Sequence, residues 1–305
     1  MNGTKIDFKN ILAWTPAVIL LVLVLTLWSM VFSGDLSGEF AWYTLQLLIP
    51  LLGIIYLIVV GIKIIRKRSF TRRLTIILLL SLLAILPAMS MIVPIAYPYS
   101  LGKAQPVATV RLPANEPLLV IWGGDTYDKN YHVVSPDQRW AYDFVVEPAL
   151  SGSTALEDYG CYGIPVVAPI DGEITLVHDG EPDEVPGTAS NNVEHPRGNF
   201  VVIKMATNTY LLIAHMIPGS IEVSEGEMVK EGQVIGACGN SGNTSEPHIH
   251  IHQQRIDPGE WPNGFGEGLP LYFRDHDGPA MPEGGFKIVD ETPQPLGPIV
   301  QHQEQ

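Results

Sequence analysis

The sequence predicts a mainly β fold, an antiparallel β-sheet of the barrel or sandwich type, that follows three transmembrane α-helices. Long apolar runs crowd into the first hundred positions. Beyond them, short β-rich runs alternate with turns of Gly, Pro, Asp and Asn, and no helical period lasts for more than a turn. We expect a membrane anchor over 1–97, a linker with leading strands over 98–129, the β domain over 130–285 and a flexible tail over 286–305.

Three apolar stretches, at about 12–33, 41–65 and 74–97, are each long enough to cross a bilayer, which takes about 20 residues. Tryptophan and tyrosine side chains lie near their ends, as is typical of the membrane interface. A cleaved signal peptide is the competing interpretation of the first stretch, but two further spans follow and no small-residue cleavage pattern is evident. We therefore expect a retained multi-pass anchor in the lipid bilayer.

Charges in the connecting loops predict the orientation of these helices. The loop between the second and third stretches contains RKRSFTRR at residues 66–73, whereas Asp35 and Glu39 occupy the first loop. Because loops rich in Lys and Arg stay in the cytoplasm, we expect a cytoplasmic amino terminus. Everything after about residue 98 then lies outside the cytoplasmic membrane.

The two parts of the chain also differ strongly in net charge. Residues 1–97 carry 8 Lys+Arg and 3 Asp+Glu, a formal charge of +5, whereas the remainder carries 10 and 29, a charge of −19. Such an acidic module repels phosphate groups, so we expect no nucleic acid among its partners. Solubility alone is a sufficient explanation of the charge.

The two cysteines, Cys161 and Cys238, both fall in the outer part, where a disulfide can persist. Each precedes or ends a probable strand, so the pair can be bridged or can be two buried thiols. A thiol nucleophile is disfavoured because neither cysteine has a histidine nearby in the sequence. We expect a bridge between them.

A row of imidazoles follows a turn rich in Gly, Asn, Ser and Pro. The segment SGNTSEPHIHIHQQ, residues 241–254, places His248, His250 and His252 at every second position. In an extended strand these side chains share one face, while Ile249 and Ile251 pack into the other. Histidine binds metals and titrates near neutral pH, so the pattern indicates a metal or catalytic site, with a solvated His-rich face as the alternative.

Three segments of the outer part occur in a characteristic order: IPVVAPIDGEITLVHDG, then GNFVVIKMATNTYLLIAHM, then VSEGEMVKEGQVIGACGNSGNTSEPHIHIH. In this order they resemble the lysostaphin-type zinc endopeptidases, which cut peptidoglycan cross-bridges. Each motif is weak alone, but the ordered set of an A-H-M strand end, a glycine-rich turn and a terminal P-H-x-H is fairly specific. The resemblance covers about residues 130–255 and implies a peptidase domain of the duplicated hybrid motif type.

The resemblance also implies a set of site residues. In that family a groove in the β-sheet holds one Zn²⁺ with two histidines and one aspartate, and two further histidines border the metal. Carried over residue by residue, His250 and Asp143 would be metal ligands. His248 and His215, the latter in LLIAHM, would be the catalytic partners.

The sequence departs from the family pattern at Arg139, which occupies the position of the first zinc ligand, four residues before the aspartate. A guanidinium stays charged and cannot ligate Zn²⁺. His132 is the nearest replacement, because a turn at SPDQ can fold it back beside Asp143. The alternatives are a degenerate module without metal, or another donor such as His252.

Two other histidines, His178 and His195, lie on or near the polar insertion at 179–198. We expect them to be solvated.

The function that these observations predict is that of a membrane-anchored zinc metalloendopeptidase, which hydrolyses peptide cross-links of peptidoglycan outside the cytoplasmic membrane. A degenerate endopeptidase-like module that binds wall peptide or regulates another hydrolase is the first alternative, and Arg139 supports it. A lipoyl- or biotinyl-carrier barrel is the second, but the modifiable lysine at a hairpin tip is not found. The sequence identifies no regulatory partner.

The orientation of the chain can be tested with a reporter that is active only in the cytoplasm. Fused after residue 305, this reporter should be silent, because an odd number of crossings from a cytoplasmic amino terminus leads outside. The same reporter fused in the basic loop at residues 66–73 is the control and should be active. Strong activity after residue 305 would contradict the orientation and, with it, access to a wall substrate.

Overall fold

The computed structural model describes residues 8–68, 70–190, 192–290 and 292–303. These residues divide into two compact units, one ending at Ser100 and one beginning at Leu101.

The first unit consists of helices that are long and apolar enough to cross a membrane. They are α1 (Phe8–Val31), α2 (Leu36–Lys67) and α3 (Arg72–Ile85), with a 3₁₀ turn at Leu86–Met91 that extends α3. Side chains cap two of them: Asp35 Oδ1 accepts from Gly38 N at 2.9 Å, and Thr71 Oγ1 accepts from Leu74 N at 3.3 Å.

The helix in the third apolar stretch ends earlier than the stretch itself. Its helical part, including the 3₁₀ turn, ends at Met91 rather than at 97. Pro87 and Pro94 lack the backbone N–H that a continuing α-helix needs, and each disfavours helical geometry in the preceding residue. The apolar composition continues past the point where the backbone can remain helical.

The second unit is built almost entirely from β-strands. The described strands are β1 (Ala108–Val110), β2 (Leu118–Trp122), β3 (Tyr142–Val145), β4 (Pro165–Val167), β5 (Gly172–His178), β6 (Asn199–Lys204), β7 (Tyr210–Met216), β8 (Met228–Val229), β9 (Val234–Ala237), β10 (Ile249–Gln254), β11 (Gly268–Leu269), β12 (Leu271–Phe273), β13 (Phe286–Val289), β14 (Thr292–Pro295) and β15 (Ile299–Val300). With the three helices, they confirm the predicted fold class.

A nine-stranded antiparallel sheet carries the imidazole row. Its strand order is β15-β2-β3-β10-β7-β6-β5-β8, and β11 also pairs with β10. Strand β10 therefore lies between β3 and β7, and in its register His250 is opposite Asp143 on one side and Ala214 on the other. Ile249 and Ile251 are fully buried in the apolar core, so the alternation predicted for this strand is confirmed.

A disulfide joins Cys161 and Cys238, which confirms the predicted bridge. Cys161 precedes β4 and Cys238 follows β9, and these two strands pair in a small antiparallel sheet. Their pairing brings the two Cα atoms to 5.8 Å, a usual distance for a bridge, across 77 positions of sequence.

The prediction of a flexible tail over 286–305 is wrong for those of its residues that the structure describes. Strands β13 and β14 form a hairpin, and β15 pairs with β2 at the edge of the main sheet. Val300 is fully buried, so its burial and the edge pairing hold this segment. Strands β1 and β2 lie within 98–129, where a linker with leading strands was expected, and both belong to the second unit, which begins at Leu101.

Candidate metal centre

Two donors of the candidate centre come from neighbouring strands. Asp143 lies on β3 directly opposite His250 on β10. The side chains meet on the face away from the apolar core, where His250 Nδ1 is 2.8 Å from Asp143 Oδ1. Both residues are 5% exposed, so water screens this contact poorly.

The third donor, His132, comes from a 3₁₀ turn at Tyr131–Val134. Asn130 fixes this turn, because its Oδ1 accepts from His132 N at 3.1 Å and its Nδ2 donates to Gly124 O and Ala141 O, each at 3.0 Å. The chain then folds back through SPDQ, and His132 Nε2 lies 3.0 Å from Asp143 Oδ2. The turn predicted from the sequence thus brings His132 beside the aspartate.

The donor atoms of His132, Asp143 and His250 all lie within 4.8 Å of one another. Tetrahedral Zn²⁺ with bonds of about 2.1 Å holds its ligand atoms roughly 3.4 Å apart. Two imidazoles and one carboxylate are also a donor set that zinc accepts, with one position left for another ligand. The spacing and the chemistry of these residues therefore fit a zinc ion.

A hydrogen-bonded chain along β10 determines the tautomer of His250. It thereby decides whether Nδ1, the nitrogen that faces Asp143, carries a proton or a lone pair. Gln254 Nε2 donates to Ile256 O at 2.5 Å, so Gln254 Oε1 is left to accept from His252 Nε2 at 3.0 Å. His252 Nδ1 must then accept from His250 Nε2, 2.9 Å away. His250 Nδ1 consequently carries a lone pair.

This lone pair lies 2.8 Å from an oxygen of Asp143, so two acceptors face each other at hydrogen-bonding distance. Two acceptors repel unless a cation lies between them, either a proton or a metal ion. Burial lowers the pKa of His250 to about 4, which disfavours the proton at neutral pH. The arrangement favours a metal. His252, considered above as an alternative donor, is instead the hydrogen-bond partner that orients His250.

Arg139, at the position where the family has a zinc ligand, is bound on another side. Its Nη2 lies 3.0 Å from Asp125 Oδ1, and Trp140 Nε1 donates to the same oxygen at 2.7 Å. Its guanidinium also stacks 4.9 Å from the centre of the Trp140 ring. Arg139 therefore has a structural ion pair with Asp125, and it is His132 that lies beside Asp143.

The two histidines expected to be catalytic lie next to these donors. The rings of His215 and His248 are 4.6 Å apart, and that of His215 is 5.8 Å from the ring of His250. His215 Nδ1 is 2.7 Å from Ser241 O, and His248 Nδ1 is 2.8 Å from Glu246 O. Since a carbonyl only accepts, each Nδ1 carries a proton, and the buried, neutral ring of His215 has its lone pair on Nε2.

His215 is held in an unusual backbone conformation. It is the second-last residue of β7 and has a φ of 67°, in the left-handed region that non-glycine residues rarely adopt. Such strain persists only where surrounding contacts impose it and is often found at functional sites. Here the hydrogen bond to Ser241 O and the burial of the ring impose it.

The protonation states of the cluster suit metal binding. Burial lowers the pKa of His215 and of His252 well below the ordinary value, so both are neutral at pH 7. Burial alone would raise the pKa of Asp143, but His132 and His248 beside it hold that pKa well below its usual range. A carboxylate beside a neutral imidazole, as in the pair of Asp143 and His250, is the form in which these side chains ligate metals.

Two cavities flank the donors and share Tyr131 and Asn243 in their walls. The first, of about 290 Å³, is lined mainly by Trp122, Val145, Asp143 and His248 with the 243–246 loop. The second, of about 240 Å³, is lined by the remaining site residues, which are His132, His215 and His250, with Gln138, Arg197 and Asn263. The donors therefore lie within an elongated groove.

Residues 157–258 match the family model of peptidase family M23. This segment belongs to that family. It contains His215, His248 and His250, whereas His132 and Asp143 precede it. The departure at Arg139 thus lies before the part of the chain that the family model covers.

Solved structures of other M23 proteins are similar to the chain. A peptidase M23 from Pseudomonas aeruginosa is 19% identical over 48% of this chain and 44% of its own, with a TM-score of 0.29. The catalytic domain of the prophage-encoded M23 protein EnpA from Enterococcus faecalis, in a mutant form, is 21% identical over 49% and 87%, with a TM-score of 0.30. The catalytic domain of lysostaphin from Staphylococcus simulans is 20% identical over 41% and 71%, with a TM-score of 0.28. The chain thus spans less than half the length of the Pseudomonas protein.

Two features of this region were not predicted from the sequence. Gln254 continues the alternating series of 248, 250 and 252, so its place on the imidazole face was available from the two-residue period. Glu181 lies between His178 and His195 in the sequence, and the structure brings these three side chains together, while the two histidines stay partly exposed.

The assignment of His132 as a metal donor is tested by zinc binding to the full chain in detergent. We expect His132→Ala to weaken the tightest zinc equivalent as strongly as His250→Ala does, because each removes one of three donors. Competition with a chelator of known affinity measures this loss. His302→Ala, which removes an imidazole outside the cluster, is the matched control. Unchanged zinc affinity in His132→Ala would show that the third donor is another residue.

Proposed function

We propose that the chain is a membrane-anchored zinc metalloendopeptidase that hydrolyses peptide cross-links of peptidoglycan outside the cytoplasmic membrane. One observation carries the proposal: the lone pair of His250 Nδ1 and an oxygen of Asp143 face each other at 2.8 Å, beside His132 and within a groove. Such a pair of acceptors needs a cation. The match of the segment to peptidase family M23 supports zinc as that cation.

Zinc bound by His132, Asp143 and His250 would supply a Lewis acid that polarises a peptide carbonyl and makes water acidic near neutral pH. The hydrogen-bonded chain through His252 to Gln254 Oε1 would hold His250 in the tautomer that can ligate. The ion pair of Arg139 with Asp125 would keep its positive charge occupied elsewhere.

His248 and His215 would move and hold the protons of the reaction. Each has its Nδ1–H fixed on a backbone carbonyl, so each Nε2 is available as a base. His248 Nε2 lies 3.8 Å from Asp143 Oδ1, where the carboxylate would stabilise an imidazolium. We assign to His248 the transfer of a proton to the leaving amine. His215, neutral because it is buried, would orient the attacking water.

The groove suits an extended peptide that crosses the donors. The two cavities, of about 290 and 240 Å³, share Tyr131 and Asn243 in their walls, and each would accept residues on one side of the scissile bond. The first has apolar walls from Ile121, Trp122 and Val145, whereas the second has polar ones from Gln138 and Arg197. The two sides would therefore prefer residues of different polarity.

The position in the cell fits a wall substrate. Three helices are long and apolar enough to cross a membrane, and the basic loop at 66–73 supports an outer location of the β domain. The Cys161–Cys238 disulfide is consistent with an oxidising compartment. A tethered enzyme of this kind would reach only wall close to the membrane.

A degenerate module that binds wall peptide without cleaving it is the second candidate, favoured by Arg139 at the usual ligand position. The two proposals differ in the metal content of the unmutated protein. Stoichiometric zinc together with release of peptide from purified peptidoglycan supports the enzyme. Absence of zinc together with retained binding to peptidoglycan supports the binding module.

The roles of the two neighbouring histidines are separated by mutation. We expect His250→Ala to lose both the metal and turnover, because it removes a donor. His248→Ala should keep the metal and lose about 10²- to 10⁴-fold of turnover, the usual contribution of general acid–base catalysis. Turnover is measured as peptide release from purified peptidoglycan by the full chain in detergent, and metal content by elemental analysis.

His302→Ala serves as the control and should retain both the metal and turnover. Full turnover of His248→Ala would remove this residue from the mechanism. Loss of the metal in His248→Ala would show that it holds zinc rather than moves protons.

A further inference from the structure

A second cluster of histidine and carboxylate side chains lies at the polar insertion, apart from the groove donors. His178 Nε2 is 3.1 Å and His195 Nδ1 is 3.6 Å from the same oxygen of Glu181, Oε1. Ligand atoms of the three residues all lie within 4.8 Å of one another. His178 and His195 border a small cavity of about 100 Å³, to which Arg197 and Asn263 also contribute.

The cluster is held in place by the framework of the sheet. Glu181 N donates to Asn199 Oδ1, and Asn199 Nδ2 donates to Glu181 O, each at 2.8 Å, which fixes this backbone to the start of β6. The His178 ring stacks on that of Phe200 at 5.6 Å and on that of His195 at 5.5 Å. The three side chains are thus ordered by contacts that do not involve a metal.

We propose that His178, Glu181 and His195 form a second metal site, for Zn²⁺ or a similar divalent transition metal. Two imidazole nitrogens and a carboxylate oxygen are donors that such ions prefer over Ca²⁺ or Mg²⁺. The side chains are 38%, 19% and 43% exposed, so an ion can enter and keep water as its remaining ligands. This exposure also makes the site weaker than the buried one at Asp143.

A metal at this site would add a link between the end of β5 and the far end of the polar insertion. His178 ends β5, and His195 lies near the end of the insertion at 179–198, so a shared ion closes the intervening segment into a loop. Pro196 and Arg197 follow His195 directly and line both the small cavity and the cavity that contains His132, His215 and His250. Occupation of the second site would therefore fix one edge of the groove.

The experiment is a Zn²⁺ titration of the full chain in detergent, followed by calorimetry and elemental analysis. We expect two equivalents per chain, one tight and one weaker. The double variant His178→Ala, His195→Ala should lose only the weaker equivalent, and His250→Ala should lose only the tight one. His302→Ala removes an imidazole that belongs to neither cluster, so this control variant should keep both equivalents.

Limited proteolysis gives a readout independent of activity. In His250→Ala, where the tight site is absent, zinc at the concentration that fills the weaker site should slow cleavage within 179–198. Zinc should have no effect on this cleavage once His178 and His195 are also replaced.

In the titration, a single equivalent that disappears in His250→Ala would overturn the second site and leave the proposed enzyme intact. A single equivalent that survives in His250→Ala and disappears in the double variant would support the second site and remove the metal from the proposed function.

Discussion

The carboxylate of Asp143 is the group around which the site is organised. It is buried on the polar face of the sheet, where an uncompensated charge would cost several kcal/mol. One oxygen faces His132 and the other faces His250, with His248 nearby. Three imidazoles of the groove, those of His132, His248 and His250, are thereby positioned relative to a single negative charge, which the proposed zinc ion would compensate.

The β-sheet makes this arrangement possible through its register. Strand β10 places His250 opposite Asp143, and a shift of one residue would direct Ile249 or Ile251 to the groove and the imidazoles to the core. Full burial of both isoleucines therefore protects the register. The same strand supplies His252 and Gln254, whose hydrogen bonds select the tautomer of His250. Packing on one face of β10 thus supports chemistry on the other.

The sequence predicted those parts of the site that depend on local order. The two-residue period of HIHIH indicated a shared face for His248, His250 and His252, and the turn at SPDQ allowed His132 to approach Asp143. The tautomer of His250 depends on Gln254 and Ile256, which act through three-dimensional contacts, so no pattern of the histidines alone could predict it. The side chains of His178, Glu181 and His195 likewise lie together because β5 and β6 pair, which their spacing in the sequence does not show.

The structures of the carboxyl-terminal segment and of the end of the third apolar stretch were not predicted, for similar reasons. Residues 292–303 are rich in Pro and Gln, and their edge pairing depends on β2, which lies far away in sequence. The helical part of the third apolar stretch ends at Met91 because of backbone constraints at proline, to which an average of hydropathy is insensitive. Composition predicted the class of the apolar segment but not that of the carboxyl-terminal strands, which depend on pairing with other strands.

The most direct test of the account is X-ray diffraction at the zinc absorption edge from crystals of the full chain grown with zinc. The account predicts an anomalous peak bonded to His132 Nε2, an oxygen of Asp143 and His250 Nδ1, with His250 Nε2 still directed at His252. An empty groove in crystals that contain zinc elsewhere, or a zinc ion bonded to His250 Nε2, would contradict it.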